Sequence, residues 1–223
     1  MSIDILTELD KEHFRERFTK YSVKAFRMLP HLDKPRILDV GCGTGIPTME
    51  LARLTAGQIV GLDIDQASLD EFDQKIKLSG LSARVRTLKC SMSQIDFPDE
   101  SFDIIWAEGS IFLIGFERGL REWRRILKIN GFLVVHDEIE TLGKSLERLS
   151  EFGYVLWGQL ELPEDAWWAE YYKPLEKRID ELRTKYRDNP DALKLLDREQ
   201  RDVDRFKKNP ELHRSAFVIM QKK

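Results

Sequence analysis

Residues 36 to 52 read RILDVGCGTGIPTMELA, an apolar run that stops at Gly41, Gly43 and Gly45 and passes into a helical pattern. A strand that ends in glycines and opens a helix presents backbone N–H groups at the positive end of a helix dipole. Glycine permits positive φ and lets a ligand approach the main chain closely, and Pro47 suits the first helical turn. A phosphate-cradling loop of the G-x-x-x-x-G-K-[ST] type is excluded, because no Lys follows Gly45. The dinucleotide pattern G-x-G-x-x-G fails at position 46, which is Ile where the third glycine belongs. What stands instead is D-x-G-x-G-x-G, from Asp39 to Gly45. Asp63 lies twenty residues beyond Gly43, at the end of the next apolar run. A carboxylate there can accept both ribose hydroxyls of a nucleoside. Its other reading is a helix N-cap, although Asp65, just before Gln66-Ala67-Ser68-Leu69, is better placed for capping.

These residues need a scaffold, and the surrounding pattern predicts one. Strand candidates at 36–40, 58–62, 84–88, 102–106 and 131–136 alternate with helical patterns at about 46–55, 66–78 and 117–127. That alternation predicts an α/β fold, a mostly parallel sheet with helices on both faces. Residues 10–29 predict one amphipathic helix, with Phe14, Phe18, Tyr21, Ala25 and Met28 at spacings of three and four, closed by Pro30 and Pro35. Asn130-Gly131 reads as a stop-and-turn signal. After a helix at about 141–150, residues 152–162 and 215–222 read as a sixth and a seventh strand. The charged segment 163–210 between them is helical in period. Trp168, Tyr172, Leu175, Ile179, Leu182 and Tyr186 form one stripe, Asn189-Pro190 interrupts it, and a second, more polar helix runs over about 191–207. No repeat, low-complexity tract or linker divides the chain. The expectation is one domain over 1–223, with an N-terminal helical cap (1–35), a core (36–138) and a helical insertion (163–210) as a candidate lid.

At 223 residues the chain is long enough for one substantial core. Its net charge of −3 supplies no global field toward nucleic acid or anionic lipid. The basic cluster at 121–125 is interleaved with Glu122 and Trp123, which suits a solvated helix face better than a phosphate track. No apolar run approaches the roughly 18 residues of a membrane span, and the N-terminus shows no signal-peptide pattern. Cys42 and Cys90 are too few for a disulfide framework and lack metal-ligand spacing. The expectations are a reduced, cytoplasmic compartment, no metal, and neither nucleic acid nor membrane as a partner.

ILDVGCGTG is followed by IVGLDID, by LKCSMSQIDFPDESFDIIWAEG and by LREWRRILKINGFLVVHDE, four ordered blocks over residues 36–138. The series resembles the class I S-adenosylmethionine-dependent methyltransferases, specifically the small-molecule group of the methyltransferase domain 11/25 type. The resemblance implies a Rossmann-like fold with seven strands in the order 3-2-1-4-5-7-6, the last antiparallel. It implies S-adenosyl-L-methionine as cofactor and S-adenosyl-L-homocysteine as product. Gly41 and Gly43 would meet the methionine portion through main-chain groups, with Cys42 and Gly45 also cofactor-binding; Asp63 would take the ribose and Ile64 the adenine face. Asp39 is either a partner for the ammonium or a buried anchor of the loop. At Cys90-Ser91-Met92 the family usually carries Gly-Asp-Ala, so Ser91 replaces the carboxylate that accepts from the adenine amino group and Met92 is a larger lining. Ala107-Glu108-Gly109-Ser110 stands where amide and adenine N-methyltransferases carry [ND]-P-P-[YF], which argues against that chemistry. Glu108 is a candidate cofactor contact and catalytic base, and His136, at the end of the fifth strand, a candidate base or acceptor ligand. Trp167 and Tyr171, off the helical stripe, and Tyr21 are candidates for an acceptor pocket, with packing as the other reading. The implied activity is methyl transfer to a small-molecule acceptor. The alternatives are a non-catalytic module that binds the cofactor or its product, and a protein or RNA methyltransferase.

Overall fold

The computed structural model describes residues 5–223, the Lys144 side chain excepted. Seven strands, β1 Arg36–Val40, β2 Gln58–Asp63, β3 Val85–Lys89, β4 Phe102–Glu108, β5 Leu127–Glu138, β6 Tyr154–Glu161 and β7 Ser215–Lys222, form one sheet. Their order is β3-β2-β1-β4-β5-β7-β6. The pairs among β1 to β5 are parallel, and β7 runs antiparallel to both β5 and β6. This is the order that the resemblance implies. The described helices are α1 Ile5–Glu8, α2 Lys11–Glu16, α3 Thr19–Arg27, α4 Ile46–Leu54, α5 Gln66–Leu78, α6 Phe116–Trp123, α7 Ile139–Leu142, α8 Lys173–Lys185 and α9 Pro190–Lys208.

Two compact units divide the chain. One comprises residues 20–161 and 215–223 and holds the sheet; the other comprises the described residues up to Thr19 together with 162–214. In the sheet unit, Leu38, Val40, Val60, Leu62, Ile105 and Ala107 join Leu120 and Trp123 of α6 in one buried cluster. Ile37, Ile59, Ile104 and Trp106, which alternate with them, are equally buried. Strands covered on both sides read as near-continuous apolar runs, which is why they were legible in the sequence. The strand order reverses between β1 and β4, so the carboxyl ends of these two strands flank the crevice where ligands of open α/β sheets bind.

Three local features differ from the sequence-based expectation. The helix expected over 10–29 is broken at residues 17 and 18 into α2 and α3. The helix expected at about 141–150 is the short α7 followed by a 3₁₀ stretch over Gly143–Phe152. Asn130-Gly131 does not precede β5 but sits inside it. Asn130 takes φ 61°, and the pairing jumps from Phe102↔Leu127 to Ile104↔Phe132, a bulge that leaves extra residues on β5.

In the helical unit, Leu175, Ile179 and Leu182 are buried as the periodicity predicts. Upstream, residues Trp168–Tyr172 form a π turn. Such a turn inserts a residue and rotates the stripe, so Tyr171 is buried while Trp168 and Tyr172 are half-buried. Tyr171 meets Phe14 edge-on at 6.5 Å, and Tyr172 stacks on Phe206 at 4.2 Å. Trp168, Phe206, Lys207, Pro210, Glu164 and Asp165 line an open recess of about 540 Å³ in this unit.

Candidate functional site

The three glycines of the β1–α4 loop all take positive φ, 76° at Gly41, 52° at Gly43 and 83° at Gly45. Their surroundings separate their roles. A Cβ on Gly41 would meet the Ser110 side chain at 2.5 Å, and one on Gly45 would collide with the Phe72 ring. One on Gly43 would meet nothing within 4 Å. Gly41 and Gly45 therefore serve close packing inside the protein, whereas the ground over Gly43 is free for close approach.

The loop does not bare its N–H groups as the sequence suggested, because they are bonded within the protein. Gly41 and Cys42 donate to the Leu62 carbonyl at 2.7 and 3.0 Å, and Gly45 donates to the Cys42 carbonyl at 2.9 Å. The Gly43 N–H donates to Oδ2 of Asp63 at 2.8 Å, and the Asp65 N–H donates to Oδ1 at 2.9 Å. Loop and acid thus form one hydrogen-bonded unit. Each Asp63 oxygen accepts one N–H and retains a lone pair, since a carboxylate has about four acceptor positions. Asp65 caps α5, accepting from the Ser68 N–H at 3.0 Å and the Ser68 hydroxyl at 2.6 Å, which frees Asp63 from that duty. Ile64, next to it, is exposed.

A second group of polar side chains gathers on one face at the carboxyl ends of β1, β4 and β5. Asp39 is buried, accepts from the Thr48 hydroxyl, and faces Trp106 in register. Burial pushes its carboxyl up to about 7, the Thr48 hydrogen bond opposing this and the Asp63 charge adding to it. Two residues beyond Trp106 on the same face of β4, Glu108 accepts from the Trp106 indole N–H at 2.6 Å. Desolvation lifts Glu108 to about 7 despite that hydrogen bond. His136 is the register partner of Glu108 on β5. It is buried, stacks on Phe217 at 4.4 Å and 17°, and lies 3.1 Å through Nε2 from the Ser215 hydroxyl. Burial lowers it to about 4, so it is a neutral imidazole at neutral pH.

The remaining candidates fall as follows. Ser91 shares a 3.0 Å hydrogen bond with Ser93, and the Met92 carbonyl accepts from the Trp123 indole at 3.0 Å. Cys42 is buried and its thiol is pushed up by burial; Cys90 is half-buried and also raised by burial, so neither is a ready thiolate. Tyr21, on α3, is buried in the sheet unit, with the Lys20 and Lys24 ammonium groups 5.0 and 5.6 Å from its ring centroid. Trp167 and Tyr171 belong to the packing of the helical unit, where Trp167 lies 4.4 Å from the Phe18 ring. Asp137 points to the opposite face from His136; burial raises it, while the Glu138 and Phe112 N–H groups oppose.

Sequence reasoning missed five supporting side chains. Trp106 precedes Glu108 by two, a same-face spacing that the alternation rule makes readable. Thr48 and Ser110, which donates to the Val40 carbonyl at 2.6 Å, are ordinary hydroxyls whose partners appear only in the fold. Ser215 and Phe217 reach His136 from β7, 79 residues away in the case of Ser215.

Residues 38–135 match the family model described as Methyltransferase domain. That stretch, somewhat less than half of the chain, is similar to a methyltransferase domain. The sterol 24-C-methyltransferase of Yarrowia lipolytica is 35% identical over 107 residues, 48% of this chain and 28% of that protein. The methyltransferase GfsG of Streptomyces halstedii is 30% identical over 137 residues, 61% of this chain and 46% of that protein. The chain thus spans less than half the length of these curated relatives. Among solved structures, the [4+2]-cyclase SpnF aligns with a TM-score of 0.75 at 23% identity, covering 92% of this chain and 80% of that one. A SAM-dependent methyltransferase from Thiobacillus denitrificans, in complex with S-adenosyl-L-homocysteine, aligns with a TM-score of 0.75 at 14% identity, covering 92% and 91%. These structural likenesses are likenesses of fold. Among the described residues no helix is long and apolar enough to cross a membrane, and no cluster of ligating side chains suits a metal ion.

Proposed function

We propose that this chain binds S-adenosyl-L-methionine and transfers its methyl group to a small-molecule acceptor. The observation that carries the reading is the joined unit of Gly43 and Asp63: an acid with lone pairs to spare, fixed by two N–H groups beside open ground over a glycine. Asp63 would accept from the ribose hydroxyls, the exposed Ile64 would cover one adenine face, and Ser91 would accept from the adenine edge less strongly than a carboxylate. Asp39 would face the ammonium end.

When bound, this cofactor supplies an activated methyl group for in-line displacement, so the chain has mainly to align the acceptor and exclude water. Glu108 and His136, side by side on β4 and β5, are the groups on that side able to take a proton from an acceptor. His136 is neutral but a weak base, its imidazolium being disfavoured by burial; Glu108, once ionised, is the stronger of the two. The curated relative named as a sterol 24-C-methyltransferase supports a small-molecule acceptor, and the one named as a methyltransferase supports methyl transfer. The free Cys42 and Cys90 agree with a reducing compartment such as the cytoplasm.

A second reading, a module that binds the cofactor without transferring methyl, is favoured by the shared fold of the [4+2]-cyclase and by the Ser91 substitution. Incubation with methyl-labelled cofactor and a panel of hydroxyl, amine, thiol and alkene acceptors separates the two. The expected result is labelled acceptor with an equal amount of S-adenosyl-L-homocysteine; firm binding of both cofactor forms with no turnover on any acceptor would favour the module.

A further inference from the structure

Asp39 and Glu108 sit on one face of adjacent strands, and among the described residues the groups that meet them carry no positive charge. From α4, Thr48 offers a hydroxyl to Asp39. From β4, the Trp106 indole donates to Glu108 at 2.6 Å. The β5 imidazole, His136, is neutral and engaged with Ser215 and Phe217 of β7. From β2, Asp63 adds a negative charge that bears on Asp39, and Asp39 in turn bears on Glu108. From α3 comes the buried Ser22, whose hydroxyl opposes the upward shift of Glu108. The ammonium groups of Lys20 and Lys24 lie over the Tyr21 ring, and neither figures among the influences on the two acids.

Neutral donors satisfy lone pairs but do not offset the cost of enclosing two like charges. Burial pushes both carboxyls up to about 7. A cation is what the pair lacks, and the sulfonium form of the proposed cofactor carries one more positive charge than its thioether product.

We propose that Asp39 and Glu108 act together as a charge-reading pair that gives up protons when the sulfonium ligand seats and so distinguishes it from the uncharged thioether. This inference rests on the cofactor reading above. Each carboxylic O–H that ionises hands its proton to the buffer and remains as carboxylate beside the sulfonium. On methyl transfer, the acceptor loses a proton, the acceptor–carbon bond replaces the sulfur–carbon bond, and the sulfonium becomes a thioether. The sulfonium charge is then gone and only the α-ammonium, common to both ligands, remains, so the pair takes back the protons that the sulfonium displaced, which loosens the product. Glu108 is thereby ionised, and available as a base, only while the methyl donor is present.

The test is calorimetric titration of S-adenosyl-L-methionine and S-adenosyl-L-homocysteine in phosphate and in Tris, between about pH 6 and 7, below the titration of the ligands' own α-amino group at about 7.7–8.0. For the sulfonium, the heats should differ between buffers with the sign of proton release. Its affinity relative to the thioether should rise by about threefold to tenfold across that range, a tenfold change being one proton per pH unit. Glu108→Gln and, separately, Asp39→Asn should each reduce the proton release and flatten the ratio. Equal heats in both buffers and a ratio independent of pH would overturn the charge-reading pair while leaving the cofactor reading intact. No heat with either ligand would overturn both.

Discussion

The two halves of the sheet's carboxyl edge solve their polar groups in opposite ways. Around β1 and β2, the loop N–H groups and both Asp63 oxygens find partners at 2.7–3.0 Å within the loop and its neighbours. Around β4 and β5, enclosed side chains are left short. Asp137 Oδ2 is buried with no hydrogen-bond partner, Glu108 is lifted to about 7 and His136 is lowered to about 4, and Asp39, which lies on β1 but faces Trp106 of β4, is lifted to about 7 with them. The first half has its polar groups paired with one another, and under the proposed reading it is the half that receives the nucleoside. The second holds groups whose charge state is unsettled, which is where proton-dependent chemistry is expected.

The sharpest break of this comparison is Gly43→Val. The new side chain enters open space, so the fold should persist, at a strain of about 1–3 kcal/mol from φ 52°. Cofactor binding should vanish. Gly45→Val, by contrast, collides with Phe72 and should lower the melting temperature sharply. If circular dichroism found the two variants equally destabilised, the division of labour among the glycines would be wrong.

The next effect belongs to the other half. The folded pKa of His136 is depressed below its unfolded value near 6.5, so its contribution to stability is present above 6.5 and lost as pH falls toward about 4. The loss amounts to about 3 kcal/mol at most. Asp39 and Glu108, raised from the ordinary carboxylate range to about 7, act in the opposite sense: the folded state binds their protons more tightly, and stability falls as pH rises from about 4 to 7. Urea unfolding of the wild type minus His136→Gln isolates the first contribution. A difference independent of pH between about 4 and 6.5 would remove the imidazole from this account.

Asp63→Ala should weaken cofactor binding by roughly 1.5–3 kcal/mol, the cost of losing charge-assisted hydrogen bonds; unchanged affinity would reassign Asp63 to loop closure alone. Smallest of all, Ser91→Asp should tighten binding by about 1 kcal/mol if the adenine amino group lies there, and a weakening would place the adenine elsewhere.

The sheet was legible because its strands are buried on both faces and bounded by glycine, proline or capping residues. β1 and β7 lie where the apolar runs place them, and Asp65 caps α5 as its position before Ser68 suggests. The helical unit was less so. A π turn at Trp168–Tyr172 shifts the stripe by a residue, and no periodicity announces an inserted residue. Within the site, acids and glycines were readable from spacing, since loop and ribose chemistry demand those types. The burial that shifts those acids was not, and neither were the partners Thr48 of Asp39 and Ser215 of His136, whose contacts only the folded sheet creates.

Calorimetric titration of S-adenosyl-L-homocysteine into the wild type and into folded Gly43→Val tests the central claim most directly. The account predicts one saturable site per chain in the first and none in the second. No binding to the wild type, or equal binding to both, would contradict it.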